Sequence, residues 1–236
     1  MKTFVVNLDK DKERMLSVDM QLRRLGVDYE RVSAVYARDL TKTEMDSAVN
    51  RFRWWCAIGR PIVPAEIGCA LSHYGIYRAM KPGESVCILE DDVILDKDFV
   101  CRKKEVESFI DYSKPQVVMF SSHNCKRNGC GIVRSHSAIC TDAYAITQPA
   151  AMALLKANMP MQVPCDHWWR WERKGIIELY HALPTTVSQD QLQFGTSTQA
   201  NAKSVSDFPP IKWILHKCKR MIGKSIDMIL LELLNM

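Results

Sequence analysis

The sequence predicts an α/β protein, an open sheet flanked by helices, and two stretches carry that reading. In the first, residues 3–8 (TFVVNL) are strand-like and residues 9–14 are highly charged. Met15, Leu16, Met20, Leu22 and Leu25 then recur at helical spacing up to Gly26. Strand, charged loop, helix and glycine stop is how a βαβ unit opens. In the second, residues 85–95 (SVCILEDDVIL), two apolar runs flank three consecutive acids, Glu90, Asp91 and Asp92. A short continuous apolar run reads as a strand covered on both faces. Three adjacent carboxylates cannot stay ionised in such a core without partners. They therefore belong at the strand's carboxyl end, facing the crevice where open α/β sheets bind ligands.

The elements follow in order. Residues 29–35 read as a second strand. Asn7, ending the first strand, and Arg14, in the turn after it, suit a nucleotide pocket, as a partner for base or ribose and for phosphate. The plainer alternative is a turn asparagine and a solvated arginine. Thr41 with Glu44 three residues on forms a capping box. Arg51, Arg53, Trp54 and Trp55 follow, read as a helix packing its tryptophans on the sheet or as a sugar contact. Residues 64–80 form one helix, with Ile67, Leu71, Tyr74 and Arg78 on one face. That helix runs through a short turn into the acidic strand, so His73 is a candidate for lining the site, against an ordinary buried histidine.

Residues 96–99 turn into a helix that continues through Tyr112. Residues 116–120 (QVVMF) are another buried strand, and residues 121–131 a polar loop. His123, Cys125 and Cys130 in that loop have poor spacing for zinc. Residues 138–147 have strand character, and residues 149–158 form a short helix. Residues 164–171 (PCDHWWRW) set Asp166 and His167 beside Trp168, Trp169 and Trp171. Such rings either stack on a sugar's apolar face or fill the core. Residues 176–181 are a strand ending in His181, and residues 184–200 a polar loop. Residues 207–236 carry apolar residues at i, i+3, i+4 spacing with Lys212, Lys217, Lys219, Arg220 and Lys224 on the other face. A basic amphipathic helix of this kind reads as lying in an anionic membrane surface, against a core-packing or oligomer helix. Each basic residue there adds roughly 1 kcal/mol of attraction.

Composition narrows the classes. The 236 residues carry 47% hydrophobic and 25% charged side chains, ordinary for a globular chain able to bury a substantial core. A net charge of +5 does not by itself indicate a nucleic-acid partner. Nine cysteines occur without a CxxC pair. No hydrophobic leader and no run of eighteen apolar residues occur, so free thiols in a reducing cytoplasm are expected. Like charges as close as Glu90, Asp91 and Asp92 are relieved by a hard divalent cation, Mn²⁺ or Mg²⁺, which takes oxygen ligands and bridges to phosphate. The bland alternative is an acidic turn. Rival functions are a metal-dependent nucleotidyl- or phosphotransferase, for which no P-loop is present, and a non-catalytic membrane-docking binder of a sugar nucleotide.

These pieces together resemble glycosyltransferase family 25, the lipooligosaccharide galactosyltransferases. The matching segments are VVNLDKDKER (5–14), EIGCALSH (66–73), ILEDDV (88–93), TDAYAIT (141–147), the VPCD containing Asp166, and LPTTVSQ (183–189). They cover about residues 1–200 in the family's order. The resemblance implies a GT-A-like fold over residues 1–206 and inverting transfer of a hexose, most often galactose from UDP-galactose, to a lipid-linked oligosaccharide. Residues 207–236 lie outside the matched region; their basic amphipathic pattern alone is the reason to expect a membrane-surface helix, which suits a lipid-anchored acceptor at the cytoplasmic face of the inner membrane. Glu90 and Asp92 stand where such enzymes carry a metal-binding DxD, with Asp92 the more direct ligand and Glu90 a departure from the pattern. His181 is the expected further ligand, with His167 and Gln189 behind it. Asn7, Arg14, Glu66, Gly68, Ser72 and His73 are expected on the donor pocket, and Trp168 and Trp169 on the acceptor. Asp166 is the expected general base, with Asp142 and Asp91 as alternatives.

Overall fold

The structure, a computed structural model, describes residues 1–121 and 129–190. The central sheet has seven strands: β1 (Lys2–Asn7), β2 (Glu30–Ser33), β3 (Ser85–Glu90), β5 (Gln116–Met119), β6 (Gly131–Arg134), β7 (Ala143–Thr147) and β8 (Glu178–Leu183). Their order is β2-β1-β3-β7-β5-β8-β6. β1 pairs in parallel with both β2 and β3, and β5 in parallel with β8, while β7 and β6 run against their neighbours. A separate two-stranded ribbon joins β4 (Val93–Leu95) to β9 (Val187–Gln189).

The helices are α1 (Lys12–Arg24), α2 (Lys42–Ala48), α3 (Arg51–Ile58), α4 (Pro64–Ala79), α5 (Phe99–Phe109), α6 (Gln148–Asn158) and α7 (Trp168–Arg173). Side chains alternate along each strand and so feed two cores. On one face Val5, Cys87, Leu89 and Val118 meet α1 and α5 through Val18, Leu22, Phe99 and Val106. On the other, Val6, Ile88, Val117 and Tyr144 meet α3, α4, α6 and α7 through Trp54, Tyr77, Leu154 and Trp168. Each fully buried Val or Ile in these rows contributes about 1.5–3 kcal/mol over leaving it exposed. This is the α/β sheet flanked by helices that the sequence predicts.

Local signals hold where they are strong. Thr41 accepts the Glu44 N–H and Glu44 reaches back to the Thr41 N–H, the capping box opening α2. Gly26 has φ 66° just past α1, where a side chain would be strained. Trp54 is buried at 1% exposure, as the packing reading of that helix requires. Two strands are unforeseen: β6, at the edge of the central sheet, starts where the expected loop 121–131 ends, and β9, in the ribbon, lies within the expected loop 184–200. Both are short and owe their conformation to a partner, β8 and β4 respectively, not to their own composition. The loop containing His123 and Cys125, and the basic amphipathic segment 207–236, lie outside the described residues.

The order of connections fixes where a ligand site falls. From β1 the chain leaves through α1 to β2 on one side; from β3 it leaves through α5 toward β5 on the other. The carboxyl ends of β1 and β3 therefore flank a topological switch point, the crevice at which open α/β sheets bind ligands. Asn7 ends β1 and Glu90 ends β3.

Candidate active site

Glu90 ends β3 and Asp91 and Asp92 form the turn after it, so the acids part to two sides. Glu90, in step with Ile88, turns toward α4: its Oε1 lies 3.5 Å from His73 Nε2 and accepts the Thr141 hydroxyl. Asp91, in the turn, faces α1. Its Oδ2 accepts from Asn7 Nδ2 at 2.6 Å, and its Oδ1 lies 3.5 Å from Arg14 Nη1. The same guanidinium nitrogen is 3.6 Å from Asp92 Oδ2. Arg14 thus bridges two carboxylates at the mouth of the crevice, on the first turn of α1.

Asn7 is 2% exposed and has each polar atom engaged. Besides Asp91 it donates to the Asp11 carbonyl at 3.0 Å and accepts from Arg31 Nε at 2.9 Å. It braces the ends of β1, β2 and β3, so the expectation that its amide meets a base or ribose is corrected to a structural role under the pocket. Asp91, 8% exposed with both oxygens occupied, is likewise a brace and not a base facing an acceptor.

Asp92 is the acid left with capacity. Its Oδ1 is buried without a hydrogen-bond partner among the described residues. Burial first, and then the charge of Glu90, push its carboxyl up to about 7, against the pull of Arg14. A buried carboxylate oxygen with no donor and a neighbouring like charge is an arrangement that a divalent cation relieves. The residues present fit such an ion at Asp92. The Asp92 carbonyl accepts the Asp190 N–H at 2.7 Å, and Gln189 pairs with Val93 in the ribbon. That brings Gln189, a weaker candidate from sequence, beside the acids. His181 is buried in β8, three strands from β3, about 14 Å at the usual spacing between strands. The fold sets His181 three strands from β3, and the ribbon brings the Gln189 backbone alongside Val93, next to Asp92.

The α4 residues divide. The Glu66 carboxylate accepts from Arg60 at 2.6 and 2.8 Å and from the Val63 N–H at 3.0 Å. It caps α4 and holds Arg60. A Cβ on Gly68 would sit 2.5 Å from the Val35 carbonyl oxygen, so Gly68 is there for close packing. Ser72 Oγ accepts the Val35 N–H at 2.8 Å and donates to the Gly68 carbonyl. Of these residues, all expected on the donor, Gly68 and Ser72 seat the segment after β2, and Glu66 caps its own helix. His73, 1% exposed, faces Glu90, and its Nδ1 is 2.7 Å from the Tyr144 hydroxyl.

Asp166 lies at the edge of the same acidic neighbourhood. Its Oδ2 accepts the Cys140 N–H at 3.4 Å. Burial, and then the Cys69 and Glu90 charges, lift its carboxyl to about 6. The alternative base Asp142 is fully buried, with Oδ1 accepting from Ser121 and its carbonyl accepting the Glu90 N–H. That position makes Asp142 a structural anchor. Trp168 is completely buried, packs 4.9 Å from Tyr144 and donates its indole N–H to the Cys140 carbonyl at 2.6 Å. It is core, which corrects its expected contact with acceptor. Trp169 is half-buried, with Arg170 and Arg173 over its ring at 4.7 and 5.0 Å. His167 is held neutral, at about 4, by burial and by Arg170.

Cys140 and Thr141 went unnoticed in the sequence. Cys140 is the non-glycine residue with positive φ, 71°, among the described residues. A non-glycine residue there costs on the order of 1–3 kcal/mol, and such strain concentrates at functional sites. The strained turn delivers an N–H to Asp166, a carbonyl to Trp168 and the Thr141 hydroxyl to Glu90. The one signal was the position of both residues beside the Asp142 segment.

Comparison with known proteins identifies the family. The profile of Glycosyltransferase family 25 (LPS biosynthesis protein) matches residues 1–169. A mimivirus protein named procollagen lysyl hydroxylase and glycosyltransferase is 25% identical over 187 residues, 71% of this chain and 21% of that protein. Procollagen galactosyltransferase 1-B of Xenopus laevis is 32% identical over 97 residues, 39% of this chain and 16% of that protein. The chain thus spans well under a third of the length of these relatives. A solved Drosophila β1,4-galactosyltransferase 7 variant, in complex with manganese, UDP-Gal and xylobiose, shares 9% identity with a TM-score of 0.43, covering 87% of this chain and 77% of that one. The acids at the switch point, the Asn7–Asp91 bracket and the family match over residues 1–169 lead to one assignment: the chain belongs to glycosyltransferase family 25.

Proposed function

We propose that this chain is an inverting glycosyltransferase that moves a hexose, galactose from UDP-galactose first among the donors, onto a lipid-linked oligosaccharide. The observation that carries the reading is the unpartnered, buried Asp92 Oδ1 beside Arg14 at the β1–β3 switch point. A diphosphate needs positive charge there, and Arg14 supplies one fixed cation. Asp92, with Gln189 beside it, would hold a divalent cation, Mn²⁺ or Mg²⁺. When bound, that ion neutralises the charge gathering on the departing nucleoside diphosphate. Asn7 and Asp91 keep Arg14 and Asp92 in place from beneath.

Asp166 acts as the general base. A carboxyl lifted to about 6 is ionised at neutral pH yet basic enough to accept a proton in the transition state. It takes the proton of the acceptor hydroxyl as that oxygen attacks the anomeric carbon, on the face opposite the breaking bond to diphosphate. One displacement inverts the configuration. Trp169 is the aromatic surface on the acceptor side. The basic amphipathic sequence pattern of residues 207–236 would hold the enzyme at an anionic membrane surface, the cytoplasmic face of the inner membrane, where a lipid-anchored acceptor would lie. Among the described residues no helix is long and apolar enough to cross a membrane.

The test is release of UDP by the purified chain from UDP-galactose, UDP-glucose and UDP-N-acetylhexosamines, with Mn²⁺, with and without a terminal-hexose acceptor, and again with EDTA. Acceptor-stimulated release from one donor, abolished by EDTA and by Asp92→Asn, is the expected result. Release that survives EDTA would remove the metal role of Asp92. Pyrophosphate or nucleotide transfer in place of UDP release would replace the glycosyltransferase with the nucleotidyltransferase class, and no turnover at all would favour a binding protein.

A further inference from the structure

We propose that Cys69, Cys165, His73 and Glu90 form a second metal site, built for a thiophilic divalent cation of the zinc class and separate from the Asp92 site. The sulfurs of Cys69 and Cys165 are 3.9 Å apart. Two thiolates on one tetrahedral zinc, each at about 2.3 Å, stand about 3.8 Å apart. His73 Nε2 and Glu90 Oε1 are 3.5 Å apart. A nitrogen and an oxygen at about 2.0–2.1 Å from the same ion would be separated by about 3.4 Å. The ligand atoms of Cys69, His73 and Glu90 all lie within 4.8 Å of one another.

Each element contributes for a simple reason. Cys69 and His73 are four residues apart on α4 and so share one face. Alternation along β3 turns Glu90 toward that face, and the turn after the strand leaves Asp91 and Asp92 on the Arg14 side. Cys165 arrives from the segment preceding α7.

Two further observations point to an ion. His73 Nε2 is buried in a residue 1% exposed and makes no well-formed hydrogen bond; what faces it is the Glu90 carboxylate at 3.5 Å and the Cys69 thiol. A buried imidazole nitrogen so placed can give its lone pair to an ion shared with that carboxylate and thiolate. The other ring nitrogen is 2.7 Å from the Tyr144 hydroxyl, which is 2.7 Å from that of Tyr77. Metal-bound histidines commonly place the second nitrogen on such a partner, which fixes the tautomer and orients the ring. Thr141 holds the Glu90 carboxylate in the same way. Two sulfurs, one imidazole and one carboxylate select a soft ion over Mn²⁺ or Mg²⁺, which prefer all-oxygen sets. Cys69, His73 and Glu90 lie within mutual reach, and Cys165, 3.9 Å from Cys69, would complete the set by a small movement of its side chain, which closes the site and makes it structural. It ties α4, the end of β3 and the approach to α7 together and fixes Asp166, the neighbour of Cys165.

The experiment uses the full chain. Protein expressed with zinc and dialysed against metal-free buffer is assayed for bound metal, and Co²⁺ is titrated into metal-stripped protein. The expected result is about one zinc retained per chain and, with Co²⁺, intense visible tetrahedral bands plus a thiolate charge-transfer band. Cys69→Ser and Cys165→Ser should each weaken Co²⁺ binding at least about tenfold. Cys101→Ser, on an exposed cysteine, and Asp92→Asn should leave the thiolate charge-transfer band unchanged. If the serine variants misfold, alkylation of the wild-type thiols serves instead, with Zn²⁺ expected to protect Cys69 and Cys165 but not Cys101. No retained zinc, a cobalt spectrum lacking thiolate charge transfer, loss of the signal in Asp92→Asn, or equal alkylation with and without zinc would each overturn the proposal. The outcome does not depend on transferase activity.

Discussion

At the residue scale the site turns on two carboxyls that burial holds above their ordinary range. Asp92, at about 7 against an ordinary 3.8, has its protonated form favoured by the fold. Such a group contributes stability that is complete below about pH 4 and is lost as pH rises through about 7. Metal-free protein should therefore lose stability over that window. Asp92→Asn should raise the midpoint of thermal unfolding at pH 8 by at least about 2–4 °C, the shift of a 1 kcal/mol change in a chain of this size. The difference should vanish near pH 4 and close on adding Mn²⁺; scanning fluorimetry at both pH values decides it, and a lower midpoint at pH 8 would mean that the charge is already compensated. Asp166, at about 6, governs the acid limb of catalysis. Activity should rise with pH through about 6, and Asp166→Asn should lower kcat by about 10²–10⁴ and remove that limb. A variant that keeps the limb would reassign the base.

At the element scale α4 is the piece on which the site rests. The chain needs glycine at 68 because α4 runs against the Val35 carbonyl, and needs serine at 72 because its hydroxyl takes the Val35 N–H. Gly68→Ala should destabilise by about 1–3 kcal/mol through overpacking, more than Ser72→Ala at about 1 kcal/mol. Chemical denaturation measures both, and a neutral Gly68→Ala would show that the segment after β2 gives way freely. The elements legible in the sequence are those whose own residues decide them. The apolar run of β3, the capping box of α2 and the spacing of α4 are examples. β6 and β9 were not legible, because each is a strand by virtue of the neighbour it pairs with.

At the scale of the whole molecule, the described residues build a sheet with its chemistry gathered at one edge, and residues 207–236 carry the charge that would dock it. A chain ending at residue 206 should lose co-sedimentation with vesicles containing anionic lipid while still releasing UDP with a water-soluble acceptor. Equal sedimentation of the two chains would remove the membrane role of that segment. Salt should weaken binding of the full chain, since the attraction is screened within about 8 Å at physiological ionic strength.

The sequence by itself determined the α/β class, the place of the acids at the end of a buried strand, and the family. All three follow from local order: apolar runs, caps and short motifs read along the chain. Tertiary structure alone decided which acid does what. Adjacent in sequence, Glu90 and Asp91 part company where β3 gives way to the turn after it, one facing His73 and the other Asn7 and Arg14. The roles of Glu66, Gly68, Ser72 and Trp168 as braces, and the meeting of Cys69 with Cys165 across 96 positions, depend on packing between distant segments. No local pattern carries that information, because motif spacing records which residues travel together and not which way each one faces once the sheet has formed.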